Sequence, residues 1–418
     1  MINKSPKHSV NLAFYGLFIV LGVLISPQVV SNISKLSISI LTGVRIEPIP
    51  SPLYGFLHFP NLKPEFKDIT FAADFASVYT TAKHLDKPDI YTGEYDVSHR
   101  DVPYPPITFF LCNKFLGKLP FGQAALSFLF LQIILLFISS FLVLRYYRLG
   151  LIMIPLTVVY SYLLFLTPVG LSWFERGQFD IFPALSILFF MFAVYESKGY
   201  AFVLSALFAS FKWTACLFFV QGFIIYLVYC FDLKSLKHFS IFAGVLLLTL
   251  VFSPYKLILN SFLALYKFQR LSPMGPTLTN RLPAESIYLL LILSLLGYLV
   301  ILLMCHHKKI FLKTFLPYMT GLLALDLIII SRAFEYRALC FIGFLPMLLP
   351  WIIKFKNISF YKIFFVFTFS LFIIAAFHGV SSNLSIYMTD ENLTTIYLAY
   401  FIMISVLPIF FIAYLNDL

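Results

Sequence analysis

The chain has 418 residues, of which 60% are hydrophobic and only 12% are charged. Soluble domains are about 45–50% apolar and about 25% charged, so this composition excludes an ordinary soluble protein and predicts an integral membrane protein. The formal net charge of +11 at pH 7 does not indicate a nucleic-acid partner. The basic residues lie in short segments between apolar runs, which favours the positive-inside pattern of membrane proteins.

Apolar runs recur along the whole chain and predict an all-α polytopic membrane protein with about 12 transmembrane or half-membrane helices. The first run, at about residues 11–30, follows Lys4 and Lys7 and predicts an uncleaved span with its N-terminus in the cytoplasm. Further full spans are predicted at about 124–144, 150–170, 179–195, 239–254, 285–304, 312–331, 338–353, 359–378 and 395–414.

The charge distribution supports this topology, with both termini in the cytoplasm. The predicted inner side carries 13 basic and three acidic residues, which leaves 17 basic and 16 acidic residues outside or within spans. An excess of Lys and Arg in short loops marks the cytoplasmic side of a membrane protein. We therefore treat residues 1–418 as a single membrane domain and expect its polar chemistry on the extracytoplasmic side, where nearly all the acidic residues lie.

Residues 31–105 form the longest polar segment and are predicted to be a large first extracytoplasmic loop. Within it, a short helix is predicted at about 71–85, with Asp68 or Thr70 as its N-cap. Asp74 lies in this helix among aromatic residues. A carboxylate within reach of a hydroxyl group can act as a general base, and a solvated surface carboxylate is the alternative interpretation.

Residues 201–229 are apolar but interrupted by Lys212, and basic residues flank both ends. This pattern predicts a broken-helix hairpin that enters the membrane from the cytoplasm and returns. A cation inside the bilayer is a candidate functional group because its burial is costly. Just outside the fourth span, Arg176 is suited to holding a phosphate and Gln178 to binding sugar hydroxyls, and a snorkelling arginine is the alternative.

Two further polar clusters leave alternatives open. Asp326, Arg332, Glu335 and Arg337 lie at the predicted outer end of the ninth span and form either an internal salt-bridge network or a basic pocket for a lipid-linked phosphate. A second cluster consists of Glu94, Asp96, His99 and Asp101. Its spacing matches no ligand pattern and favours a hydrated loop, so no metal and no cofactor are expected, although a role for a divalent ion stays open.

Several motifs follow one another along roughly residues 10–230. They are Ala73-Asp74-Phe75-Ala76-Ser77-Val78-Tyr79, Asp89-Ile90-Tyr91, Tyr104-Pro105-Pro106, Arg176-Gly177-Gln178 and Ser210-Phe211-Lys212-Trp213. This ordered set resembles the bacterial membrane glycosyltransferases of the C superfamily that use polyprenyl-phosphate sugars. Within that superfamily the chain is most similar to the α-1,2-mannosyltransferases of phosphatidylinositol mannoside synthesis.

The resemblance implies a multi-pass protein of the bacterial inner (plasma) membrane. It implies transfer of a sugar from a polyprenyl-phosphate donor to a hydroxyl of a lipid or glycan acceptor on the extracytoplasmic face. Asp74 matches the family's general base, while Gly177, Gln178 and Lys212 match residues that line its donor cavity. The chain departs from the family at Asp180, where Asn is frequent, and at Trp213, where Pro is frequent.

The sequence thus leads to the hypothesis of an inverting glycosyltransferase. The expected groups around the donor phosphate and sugar are Arg176, Gln178, Lys212, Arg332 and Arg337, and the expected acceptor or loop contacts are Tyr79, Tyr104 and Glu335. Two other classes stay open. One is a transporter or flippase of lipid-linked sugars, because broken helices with an internal cation suit a substrate path. The other is an envelope glycan polymerase or ligase.

Overall fold

The computed structural model of the chain describes residues 12–44, 46, 71–87, 89–97, 102, 104–229, 257, 259–261, 263–264, 308–329, 335–354, 360–378 and 403–404. Within these ranges every regular element is a helix and no strand is present. The predicted spans at 239–254 and 285–304, nearly all of the one at 395–414, and the side chains of Arg332 and Glu335 lie outside the described residues.

The described helices follow one another in the first half of the chain as α1 Leu12–Thr42, α2 Ala73–Ala82, α3 Pro106–Leu111, α4 Phe121–Tyr146, α5 Met153–Phe165, α6 Pro168–Arg176, α7 Ile181–Glu196, α8 Gly199–Ala209 and α9 Trp213–Tyr229. The second half contributes α10 Lys308–Ile329, α11 Leu345–Lys354 and α12 Phe360–His378. A π-turn, Cys112–Leu116, extends α3, and 3₁₀ helices, Gly150–Ile152 and Glu335–Phe344, precede α5 and α11.

Three helical stretches of the described part are long and apolar enough to cross a membrane: Ala13–Thr42, Phe121–Tyr146 and Arg337–Lys354. A fourth candidate is the pair formed by Gly150–Phe165 and Pro168–Arg176. The all-α class is therefore confirmed for the described residues, and these helices support association with a membrane. The count of about 12 segments stays a prediction.

Helix α1 extends 12 residues past the predicted end of the first span. The polar loop was expected from residue 31, but the helix continues to Thr42. The reason is a stripe of buried side chains, Val29, Leu36 and Ile40, which recurs at helical spacing among the serines and packs into the core. The 31 residues of α1 rise about 46 Å, more than the roughly 30 Å hydrocarbon core of a bilayer.

The span predicted at 150–170 is divided into two helices. Helices α5 and α6 are separated by Leu166 and Thr167 and are bent by 68° relative to each other. Thr167 caps α6, since its hydroxyl accepts a hydrogen bond from the Gly170 N–H at 3.2 Å, and Pro168 occupies the first helical position. Glu175 and Arg176 at the C-terminus of α6 were expected just outside the fourth span, and after this bend they are buried in the described bundle.

Helix α7 forms the centre of the described bundle. It is apolar on all sides, and every one of its residues from Ile181 to Tyr195 is buried. The 3₁₀ helix Glu335–Phe344 packs along it so closely that a Cβ at Gly343 would lie 2.1 Å from the Ala184 carbonyl oxygen. The absence of a side chain at position 343 therefore allows the 3₁₀ helix to pack directly on the α7 backbone.

The end of α7 that is predicted to be cytoplasmic is tied to two other helices. The Glu196 carboxylate accepts hydrogen bonds from Lys354 Nζ of α11 at 2.9 Å and from the Tyr147 hydroxyl, next to the end of α4, at 2.9 Å. The Tyr146 hydroxyl donates to its second oxygen at 3.2 Å. These hydrogen bonds hold the neighbouring ends of α4, α7 and α11 together.

Candidate functional site

The turn between α6 and α7 supplies most of the polar groups of the candidate site. Arg176 is the last residue of α6, Gly177 follows in the left-handed region with φ +64°, and Asp180 lies at the N-cap position of α7. Glycine is required at position 177 for two reasons. A side chain strains that backbone conformation, and a Cβ there would lie 2.8 Å from Phe75 Cβ and 3.0 Å from Ala72 Cβ.

Helix α2 docks on this turn and positions Asp74 in its own first turn. The prediction of Asp68 or Thr70 as N-cap is wrong. Helix α2 begins after Ala72, which has φ 54° and provides no side-chain cap. Instead, the Ala72 N–H donates to the Glu175 carbonyl at 2.7 Å. A contact between distant parts of the chain therefore fixes the start of α2 against the end of α6.

The Asp74 carboxylate is held by two donors from this turn. Its Oδ2 accepts a hydrogen bond from Arg176 Nε at 2.7 Å and a short one from the Gln178 side-chain amide. The Arg176 side chain is 6% exposed and that of Asp74 is 15% exposed. A charge-assisted pair of this kind stabilises the ionised carboxylate and fixes its orientation.

Gln178 also faces an adjacent ion pair. Lys212 Nζ lies 3.5 Å from Gln178 Oε1 and 2.6 Å from Asp180 Oδ2. Both members of the Lys212–Asp180 pair are buried. The break between α8 and α9 therefore brings Lys212 to the α6–α7 turn, so that Arg176, Asp74, Gln178, Lys212 and Asp180 form one chain of polar contacts.

Tyr104 borders this chain of contacts. Burial raises the pKa of its hydroxyl well above the usual range, Asp74 and Asp180 raise it further, and Arg176 and Arg337 lower it. The phenol therefore stays protonated across the physiological pH range. Its backbone carbonyl accepts a hydrogen bond from the Tyr91 hydroxyl at 3.2 Å, which holds the segment that leads into α3.

Arg337, at the start of the 3₁₀ helix, approaches the same region. It is 8% exposed, and its Nε and Nη1 atoms have no hydrogen-bond partner among the described residues. The alternative of a salt bridge between Arg337 and Asp326 is not formed. Asp326 Oδ1 instead accepts a hydrogen bond from Gln221 Nε2 at 3.1 Å.

Tyr79, which was predicted as an acceptor or loop contact, bonds outside this chain of contacts. The Tyr79 hydroxyl donates to the Leu119 carbonyl at 2.6 Å, so it links α2 to the segment before α4. Glu335 begins the 3₁₀ helix, but its side chain lies outside the described residues, as does all of Arg332.

Two residues of the arrangement were not predicted as site residues. Asp180 was noted only as a departure from a family pattern, although its position one residue after Phe179 at the start of an apolar run is typical of an N-terminal acidic residue. Gln132 of α4 is fully buried and donates from Nε2 to the Gln178 carbonyl at 2.9 Å. A lone polar residue in the middle of an apolar span was the signal for Gln132.

Among the described residues, no group of three or more His, Cys, Asp or Glu side chains is arranged to hold a metal ion. Comparisons with protein-family models, with characterised proteins and with solved structures found no match to this chain. The site has an ionised carboxylate, the Lys212–Asp180 ion pair and a buried guanidinium at one end of a bundle of apolar helices.

Proposed function

We propose that the protein is a membrane glycosyltransferase that moves a sugar from a polyprenyl-phosphate donor to a hydroxyl group of a lipid or glycan acceptor. The resemblance in the first half of the chain to the C superfamily supports this class. The observation that carries the proposal is the Asp74 carboxylate, held on one oxygen by Arg176 and Gln178 next to the Lys212–Asp180 pair. We place the reaction on the extracytoplasmic face of a bacterial inner membrane.

In the proposed reaction Asp74 is the general base. The acceptor oxygen forms a bond to the anomeric carbon of the sugar while the bond from that carbon to the phosphate oxygen breaks. The acceptor's proton passes to Asp74, and the polyprenyl phosphate leaves with the electron pair. Attack from the side opposite the leaving group inverts the anomeric configuration. The step needs no redox partner and is complete with the two substrates.

The charges around Asp74 suit this reaction. A phosphodiester donor carries one negative charge, and the released phosphate monoester carries nearly two, so cations near the phosphate stabilise the transition state more than the ground state. Burial strengthens this effect because the surrounding dielectric is low. Arg176 and Lys212 are each paired with an acidic side chain. The charges of these two pairs therefore cancel when no substrate is bound.

The test is mass spectrometry of envelope glycolipids from cells that lack the protein and are complemented with wild type, Asp74→Asn or Asp86→Asn. We expect wild type to restore one sugar unit and Asp74→Asn to restore at most about 1% of it, since loss of a general base costs about 10²- to 10⁴-fold. Asp86 is a matched control because it lies in the same described segment, residues 71–87, but its side chain is 74% exposed.

The amount of each variant in the membrane is measured by immunoblotting, so that poor folding is distinguished from loss of chemistry. Full restoration by Asp74→Asn at equal expression would eliminate Asp74 as the base and favour a transporter of lipid-linked sugars. No change in any glycolipid on deletion would contradict the proposed function itself.

A further inference from the structure

We infer that Arg337 is the ground-state receptor for the phosphate group of the lipid-linked substrate, whereas Arg176 and Lys212 serve the carboxylates. The inference rests on the proposed function for the identity of the lipid, but the anion site itself follows from the geometry below. The sequence assigned Arg176, Lys212 and Arg337 alike to the donor, and their different partners now separate their roles.

The first observation is that the cations of the site differ in their partners. Arg176 is bonded to Asp74 and Lys212 is paired with Asp180. Arg337 is about as buried as they are, yet its Nε and Nη1 atoms have no partner among the described residues. Two buried guanidinium nitrogens without hydrogen-bond acceptors are destabilising, and an anion that accepts from them relieves this cost.

The second observation places Arg337 at the site. It interacts electrostatically with the hydroxyl of Tyr104, as do Asp74 and Asp180. One turn further along the 3₁₀ helix, the buried Cys340 interacts with Arg337, Asp180 and Lys212 together. Arg337 therefore lies within electrostatic range of the same two side chains, Tyr104 and Cys340, as the carboxylate and the ion pair.

The third observation is that helix N-termini converge on the same place. Asp74 lies in the first turn of α2, Asp180 is the residue before α7, and Lys212 is the residue before α9. These three residues are joined through Gln178, so the three helix starts lie close together. The positive ends of these helix dipoles favour an anion in the region that Asp74, Asp180 and Lys212 border.

A phosphate group is among the anions whose shape suits a guanidinium. The planar fork of arginine donates two parallel hydrogen bonds to neighbouring phosphate oxygens, which a carboxylate-bound lysine cannot match. The remaining apolar surroundings suit a lipid rather than a free nucleotide or inorganic phosphate. We therefore assign the site to the phosphate of a polyprenyl phosphate or its sugar ester.

The experiment measures ligand-dependent thermal unfolding and calorimetric binding with purified full-length protein in detergent. The probes are farnesyl phosphate, as a short polyprenyl phosphate, and inorganic phosphate. The variants are Arg337→Gln, Arg337→Lys and, as a matched control, Arg145→Gln. Arg145 is exposed near the end of α4, where the positive-inside pattern predicts the cytoplasmic boundary.

We expect Arg337→Gln to weaken farnesyl phosphate binding by about 10- to 100-fold, the value of a hydrogen-bonded charge, and Arg337→Lys to weaken it less. In the absence of ligand, Arg337→Gln should raise the unfolding temperature, because it removes an uncompensated buried charge. Arg145→Gln should change neither quantity.

A lower unfolding temperature for ligand-free Arg337→Gln would mean that the guanidinium has a structural partner, and this would overturn the inference. Equal affinities for Arg337→Gln and Arg145→Gln would do the same. Binding of inorganic phosphate but not farnesyl phosphate would overturn the lipid assignment. Binding of farnesyl phosphate to the wild type without any sugar transfer in the complementation test would contradict the proposed function and leave the anion site standing.

Discussion

The side-chain amide of Gln178 has a defined orientation because its two ends face opposite charges. Its NH₂ group donates to the Asp74 carboxylate, and its oxygen faces the Lys212 ammonium. A flipped amide would place its oxygen against a carboxylate and its NH₂ group against a cation. Gln178 is therefore a neutral connector that fixes Asp74 relative to Lys212 without adding charge.

Gly177 allows the α6–α7 turn that carries Gln178 to pack against α2. Ala72, which packs against Gly177, is a matched comparison for the backbone conformation. Both have positive φ values, +64° and 54°. Gly177→Ala should lower the stability by about 1–2 kcal/mol from the backbone alone, with a further cost from contact with Phe75. Ala72→Gly should be neutral or stabilising, since glycine adopts this conformation without strain.

The measurement for this pair is the midpoint of thermal unfolding in detergent, together with sugar transfer per folded molecule. We expect Gly177→Ala to lower the unfolding midpoint and Ala72→Gly to leave it unchanged or raise it. Equal destabilisation by both would show that the close approach of α2 and α6 does not depend on glycine at position 177.

At the scale of elements, α4 contributes to the site through a single polar side chain. Gln132→Leu keeps most of the volume but removes the hydrogen bond to the Gln178 carbonyl. We expect it to cost about 1–2 kcal/mol of stability and to lower the turnover of correctly folded protein, because the α6–α7 turn loses its anchor. Gln123→Leu is the control, since Gln123 is exposed on the same helix.

Turnover and the unfolding midpoint are measured for both glutamine variants. A drop in stability for Gln132→Leu with unchanged turnover would assign Gln132 to structure alone. An effect of the same size for Gln123→Leu would trace it to the added hydrophobicity of α4.

Elements with a local signal were predictable from the sequence. The break between α8 and α9 falls at residues 210–212, where Lys212 interrupts the apolar run. Helix α4 matches the span predicted at 124–144, with two or three extra residues at each end. The bend between α5 and α6 was missed because the apolar run is continuous there. Its signal was Thr167-Pro168, a helix start inside an apolar segment.

The site was predictable only in part, for a physical reason. Asp74 and Arg176 are 102 positions apart in the chain, and no spacing rule relates residues brought together by packing. The residue types were readable as candidates, whereas their pairing was not. How α2, α6 and the 3₁₀ helix meet decides that Arg176 binds Asp74 and that Lys212 pairs with Asp180. It also leaves Nε and Nη1 of Arg337 without a partner among the described residues.

For the whole molecule, the charge pattern predicts which surfaces face the cytoplasm. In a variant without native cysteines, Ser197→Cys at the end of α7 should react with an impermeant maleimide only after the cytoplasmic side is exposed. Asp86→Cys should react in intact spheroplasts. Both positions are exposed, so the labelling reports sidedness rather than burial, and the reverse pattern would invert the topology.

Helix α7 connects the hydrogen-bonded cluster at Glu196 to the site at Asp180. Its length bears on where the proposed reaction takes place. Its 16 residues rise only about 24 Å, whereas the hydrocarbon core of a bilayer is about 30 Å thick. With Glu196 at the inner boundary, Asp180 lies several ångströms below the outer one. In the proposed reaction the sugar headgroup is then drawn toward the acyl chains, so we expect the rate of transfer to depend on bilayer thickness.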